Sequence, residues 1–244
     1  GDRQGPHRLF VQHARHLAAE GLTCLRIDYR GRGESDGEVA GATIAAMTDD
    51  AVAAVEWLRR RLPPEAPLAL VAICSGCKVA IAAATRCPGI GRLALWSAEA
   101  MGGIRARSTN LRKTLGALRA YGRKLLRAES WRKLLRGEVR ADMVGKALVR
   151  HETRSPAEAR AEDAVLRRFR GYRGRILFVH GGSDPDAPAA SAAYERFCRR
   201  HGLDCVVATI PHAGHSYYGR EWSETLLAIT SRWLLEGRGE TAAR

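Results

Sequence analysis

The chain has no run of 18 or more apolar residues, so nothing in it reads as a membrane-spanning helix. Its first residues, Gly1-Asp2-Arg3-Gln4-Gly5, include neither a starting Met nor an apolar stretch. No secretory signal is therefore expected, and the sequence reads as a piece of a longer protein. Cysteine is not concentrated anywhere. Cys24, Cys74, Cys77, Cys87, Cys198 and Cys205 are scattered over 244 residues, which excludes a small disulfide framework and predicts free thiols in a reducing cytoplasm. No second ligand pair stands at metal spacing from Cys74 and Cys77, and His13 with His16 is too little for a metal site. Neither a metal nor an organic cofactor is expected. There is no internal repeat.

What is present is enough chain, 45% of it apolar, for one sizeable core. The formal charge is +14, and the excess is uneven: residues 105–150 hold fourteen Lys/Arg against Glu129, Glu138 and Asp142. A field of this sign attracts an anionic substrate or an anionic membrane surface in peripheral contact. Nucleic acid is not expected, because no recognised binding motif accompanies the charge. The plain alternative is a solvated basic face.

Hydrophobic periodicity predicts a helix over 6–19, a strand at Leu22–Tyr29, a helix from about Gly41 to Leu62 stopped by Pro63-Pro64, and a strand at Pro67–Ile73. An Ala-rich helix at Lys78–Thr85 and a strand over 92–97 follow. Residues 98–170 offer basic amphipathic helices, such as Leu111–Leu126 and Trp131–Leu135, and no convincing strand. The alternation resumes with a strand at Arg175–His180, a helix from about Ala189 to His201, a strand at Asp204–Ile210 and a helix at Glu221–Leu235. This order predicts an α/β fold with a doubly wound, mostly parallel sheet, formed by 1–97 and 171–244, with 98–170 inserted as a helical cap.

A strand running into a tight turn that opens a helix, as at Cys74-Ser75-Gly76-Cys77, is the setting of a strained nucleophile. Such a turn needs small residues two before and two after the nucleophile. Around Ser75 these would be Ile73 and Cys77; around Cys74 they are Ala72 and Gly76, so sterics favour Cys74. A thiol at a helix N-terminus is also activated by the helix dipole, and the N–H of Ser75 would be an oxyanion donor. A His base and an orienting acid are needed next. Asp184, or alternatively Asp186, follows one predicted strand, and His215 follows the next; His212 and His180 read as loop and packing residues.

Four stretches together resemble the α/β-hydrolase superfamily: Asp28-Tyr29-Arg30-Gly31-Arg32-Gly33-Glu34-Ser35, Ala72-Ile73-Cys74-Ser75-Gly76, Gly181 to Asp184, and Gly214-His215-Ser216. Within it the chain is most similar to small hydrolases of exosortase and extracellular-polysaccharide gene clusters, whose G-x-C-D-G turn also carries Cys. Pro6–Val11 and Trp131–Gly137 share that likeness, whereas Ser75 replaces an Asp and Ala72 a Gly. The broader resemblance to serine aminopeptidase-like hydrolases implies a Ser nucleophile that this chain lacks. The resemblance also implies a strand before the 6–19 helix, which is absent, and a second oxyanion donor from Gly1 to Gln4, with Arg3 or Asp2 supplying the N–H.

The expected activity is hydrolysis or transfer of an acyl group from an ester or thioester by Cys74, His215 and Asp184. The competing expectations are a hydrolase fold that only binds, and a C-x-x-C redox protein using Cys74 and Cys77, with a softer variant in which that pair switches the enzyme off.

Overall fold

A computed structural model describes residues 2–104 and 155–236. The cap helices expected at Leu111–Leu126 and Trp131–Leu135, and nearly all of the basic segment, lie outside the described residues.

Four strands, β1 (Leu68–Ile73), β2 (Ile90–Trp96), β3 (Arg175–Gly181) and β4 (Cys205–Ile210), form one parallel sheet in the order β1-β2-β3-β4. Among the described residues six α-helices accompany them: α1 (Leu9–Ala19), α2 (Ile44–Arg59), α3 (Gly76–Ala84), α4 (Pro156–Phe169), α5 (Ala187–His201) and α6 (Arg220–Leu235). Parallel strands need crossovers on the sheet faces, and side chains alternate across the sheet. Both rules are visible in the central strands. Leu93, Leu95, Ile176 and Phe178 point to the face covered by α2, α3, α4 and α5; Ala94, Trp96, Leu177 and Val179 point to the face covered by α1 and α6. Buried on both faces, β2 and β3 read as nearly continuous apolar runs, LALW and ILFV.

Local chemistry sets several boundaries. Thr43 caps α2 by accepting the N–H of Ala46 at 3.2 Å. Ser155 and Glu158 form a reciprocal capping box at the start of α4, and left-handed Gly202 ends α5. Helix α4 falls within the stretch expected to be a cap, yet Leu166 and Phe169 are buried in the same cluster as β2 and β3.

One expected strand is absent. Leu22–Tyr29 is assigned no strand, and its middle is open, with Cys24 exposed and Leu25 40% exposed. A strand is defined by pairing, and no described strand pairs with this segment; β1 pairs with β2 alone. Leu22 and Tyr29 still anchor its ends in the core. The following turn is built on the Asp28 carboxylate, which accepts the backbone N–H groups of Arg3 (2.5 Å) and Glu34 (3.1 Å) and the Arg3 guanidinium (3.1 Å). Gly33 has φ 56°, and a Cβ there would overlap that carboxylate.

Helix α6 is tied to the sheet by a buried bond from the Trp96 indole N–H to the Thr230 hydroxyl, at 3.0 Å. Thr230→Val keeps the shape but leaves the indole donor unpaired in a water-free site. It is expected to lower the unfolding free energy by about 1–3 kcal/mol in urea titration; an unchanged midpoint would show that the bond contributes nothing.

Candidate active site

The carboxyl ends of the four strands converge on one edge of the sheet, where ligand crevices of open α/β sheets lie. β1 ends at Ile73, and Cys74 follows with φ 57°, in the left-handed region that L-residues avoid. Ser75, by contrast, has ordinary right-handed angles and is the N-cap of α3. Of the two residues offered by the sequence, Cys74 is the one on the strained turn. Gly76 sits with its α-carbon facing the Ala72 methyl; an added Cβ would lie 3.8 Å from it, ordinary contact that a larger residue at 72 would crowd. The N–H of Ser75 belongs to the first turn of α3, which has no intrahelical acceptor.

Asp184 follows β3, and His215 follows β4. The His215 Nδ1 donates to Asp184 Oδ2 at 2.7 Å. The hydrogen bond to Asp184, together with the nearby Cys74 sulfur, pushes the imidazole up to about 10. Burial opposes ionisation of Asp184, but its bonds from His215 and from the Asp186 N–H hold it below the ordinary carboxylate value. Asp186 therefore serves as a neighbour of the acid at the start of α5, and the bond to His215 falls to Asp184. Close approach of the two loops depends on Gly181, where any Cβ would overlap the Ala213 carbonyl oxygen.

The His215 loop is held by residues that the sequence did not single out. Ser97, left-handed at φ 46° after β2, donates its hydroxyl to the His215 carbonyl at 2.8 Å. It lies 3.0 Å from the Tyr217 hydroxyl, which donates to the Val179 carbonyl at 2.9 Å. A second unforeseen group is Glu99. Its Oε1 accepts the Cys74 thiol at 3.7 Å, and its Oε2 lies 3.4 Å from Lys78 Nζ. Lys78 is buried and also reaches Glu162 Oε1 at 3.4 Å. Burial raises the Glu99 carboxyl, but Lys78 and His215 outweigh it and hold the group below its usual value. The only sequence signal for this network was a lysine in an otherwise apolar helix, Gly76–Ala84.

Other expectations need correction. The Arg3 N–H is not available to an oxyanion, because it is bound to Asp28; the N–H groups of Gln4 and Gly5 are bound to Asp2 Oδ1. Cys77 is fully buried, with its thiol facing the Ala72 and Trp96 carbonyls at 3.5 and 3.4 Å, and burial pushes it well above the usual thiol value. An inaccessible, protonated partner argues against a Cys74–Cys77 redox pair. His13 and His180 are buried and neutral, each lowered to about 4 by burial, and His212 is an exposed turn residue. Among the described residues no group of His, Cys, Asp and Glu is arranged to hold a metal ion, and no helix is long and apolar enough to cross a membrane. A cavity of about 700 Å³ lies between α4 and α5, lined by Arg167, Arg170, Arg196, Arg199 and Arg200 among others. None of the site residues lines it, and several of these arginines sit in last helical turns, where cations complement the helix dipole.

The model of the serine aminopeptidase S33 family matches residues 7–221. The chain belongs to this family. Its fold is that of the α/β hydrolases. Est1E from Butyrivibrio proteoclasticus, solved with ferulic acid, superposes with a TM-score of 0.62 at 20% identity, covering 97% of this chain and 84% of that one. The monoacylglycerol lipase of Paleococcus ferrophilus gives 0.61 at 17% identity, covering 96% and 91%. The proline iminopeptidase of Mycobacterium smegmatis gives 0.59 at 18%, covering 96% and 86%. No curated protein sequence matches the chain. In this S33 chain the residue on the strained turn is a cysteine, Cys74, with Ser75 after it.

The His215–Asp184 pair gives a pH signature. His215 is raised above its ordinary 6.5, so its contribution to stability is complete below pH 6.5 and is lost as pH rises through about 10. Asp184 is lowered, so its contribution is present above its ordinary 3.8 and is lost as pH falls below that value. The Tm advantage of the wild type over Asp184→Asn should thus be greatest between pH 3.8 and 6.5 and shrink toward pH 10. A pH-independent difference would refute this.

Proposed function

We propose that this S33-family protein takes an acyl group from an ester or thioester onto Cys74 and passes it to water or to an acceptor hydroxyl. The observation that carries this reading is a thiol on a left-handed strand-to-helix turn, near enough to raise His215, whose Nδ1 an aspartate holds at 2.7 Å. The fold likeness to an esterase and a lipase is compatible with carbonyl chemistry of this kind.

The Cys74 thiol gives its proton to His215, and the sulfur attacks the substrate carbonyl carbon. Negative charge that develops on the carbonyl oxygen meets the Ser75 N–H at the head of α3. The C–O or C–S bond to the leaving group breaks as His215 gives that group its proton, leaving a thioester on Cys74 and a neutral imidazole. The imidazole then takes a proton from water or from an acceptor hydroxyl as that oxygen attacks the thioester. The acyl product departs, and the sulfur takes its proton back from His215, restoring the thiol. Asp184 fixes the tautomer with Nδ1–H toward itself, which leaves Nε2 for the reaction, and stabilises the imidazolium. Because the intermediate is a thioester, hydrolysis and acyl transfer are both open to it.

The test is incubation with p-nitrophenyl esters and acyl thioesters followed by intact-protein mass measurement. The wild type and Ser75→Ala should gain the mass of one acyl group, Cys74→Ala should gain none, and turnover in Cys74→Ala should fall by about 10³-fold or more. An adduct that survives Cys74→Ala and vanishes in Ser75→Ala would overturn the assignment.

A further inference from the structure

Glu99 is placed where a carboxylate is costly unless it has a use. It stands beside a nucleophile that carries negative charge in attack, and a like charge at that distance opposes it. The fold nevertheless holds it there from three sides. Its backbone carbonyl accepts the Tyr194 hydroxyl at 2.8 Å, from α5. Its Oε2 faces Lys78 on α3, and Lys78 is in turn held by Glu162 on α4, whose Oε2 accepts the Gly102 N–H at 2.7 Å. The Glu99 side chain is 45% exposed, whereas Lys78 and Glu162 are 6% and 10% exposed. One carboxylate oxygen is thus anchored in the interior, and the other is left at the sulfur.

The partner of that second oxygen changes during the reaction. With Cys74 as a thiol, Oε1 accepts its S–H at 3.7 Å. Once the thiol has given its proton to His215 and the sulfur is acylated, Oε1 is left with an unfilled acceptor site against the bound acyl group. Reacting atoms approach to about 3–3.5 Å. A substituent on the carbon next to the carbonyl is two bonds from the reacting carbon, and so falls within reach of an oxygen that already touches the sulfur.

From this we infer that Glu99 determines acyl-group specificity: it favours acyl groups that carry a hydrogen-bond donor, such as a hydroxyl, on the carbon next to the carbonyl, and disfavours a carboxylate there. The inference rests on Cys74 being the nucleophile. The preference acts on the chemical step, because the donor replaces the S–H only when the thiol has been consumed, and an interaction gained on the way to the transition state accelerates the reaction rather than only tightening binding. A carboxylate at the same position meets Glu99 as a like charge, with Lys78 on the far side.

The experiment compares kcat/KM for p-nitrophenyl esters of propionate, 2-hydroxypropionate, 2-methoxypropionate and malonate in the wild type and in Glu99→Gln. In the wild type the 2-hydroxypropionyl ester should exceed its 2-methoxy counterpart by about tenfold or more, as expected for a hydrogen bond to a charged acceptor. The malonyl ester should be the slowest. In Glu99→Gln the hydroxy-to-methoxy ratio should fall toward one, and the malonyl penalty should shrink. Glu99→Asp, which withdraws the carboxylate by one methylene, should lower the ratio too and serves if the Gln variant does not fold. A purely structural role would lower all four rates together and leave the ratios unchanged. A wild-type ratio near one, or a ratio unchanged in the variants, overturns the inference. Intact mass keeps the two readings apart: a propionyl adduct on Cys74 without a hydroxy preference removes this inference alone, while no adduct from any ester removes the nucleophile and this inference with it.

Discussion

Cys74 occupies left-handed backbone, a conformation that costs an L-residue about 1–2 kcal/mol. The structure around it is organised to hold it there. β1 delivers the chain to the turn, the Cys74 N–H donates to the Trp96 carbonyl of β2 at 2.9 Å, and the Cys77 N–H closes back on the Cys74 carbonyl at 3.0 Å. Cys77 and Val79 are then driven into the interior, and Lys78, on the same first turn, is sent toward Glu99 and Glu162. Straightening this turn would at once move the sulfur, unseat α3 and strand a buried lysine without its carboxylates.

The charges of the site follow from that placement. A buried ammonium is stable only when paired, and Lys78 has two carboxylates. Glu99 connects it to the sulfur, and Glu162 connects it to Gly102, in the stretch that follows β2. Asp163, next to Glu162, accepts the Gly103 N–H at 2.6 Å. Both carboxylates lie on α4, so the Gly102-Gly103 stretch after β2 is fastened to that helix and joined to Cys74 by one chain of ionic and hydrogen bonds. On the opposite side of the sulfur, Ser97 and Tyr217 hold the backbone of the His215 loop, and Asp184 holds its ring.

Much of this was legible in local sequence, and the parts that were not share a cause. RLALW and RILFVH read as strands because a strand buried on both faces must be apolar throughout, and LALVAI reads as one from the same short apolar run although it is only partly buried. The same logic misread Leu22–Tyr29, whose composition suits a strand; pairing depends on a neighbour that composition cannot supply. Cys74 is separable from Ser75 in sequence because turn sterics act over two residues, and Asp184 and His215 are candidates because each follows a strand end. Glu99 was invisible: it is one acid in Ser97-Ala98-Glu99-Ala100, with no motif, and only the sheet brings it to Cys74. Arg3 failed as an oxyanion donor for a similar reason, since Asp28, distant in sequence, takes its N–H.

The sequence by itself determined the class of fold, the kind of turn at Cys74, and the identity of the histidine and the acid candidates, because each depends on periodicity or on sterics among near neighbours. Tertiary structure alone decided that Asp184 rather than Asp186 meets His215, that Cys77 is sealed in the core, and that Glu99 and Lys78 stand at the sulfur. Those outcomes depend on distances between residues far apart in the chain, set by parallel strand register and by how closely glycines such as Gly181 let loops approach.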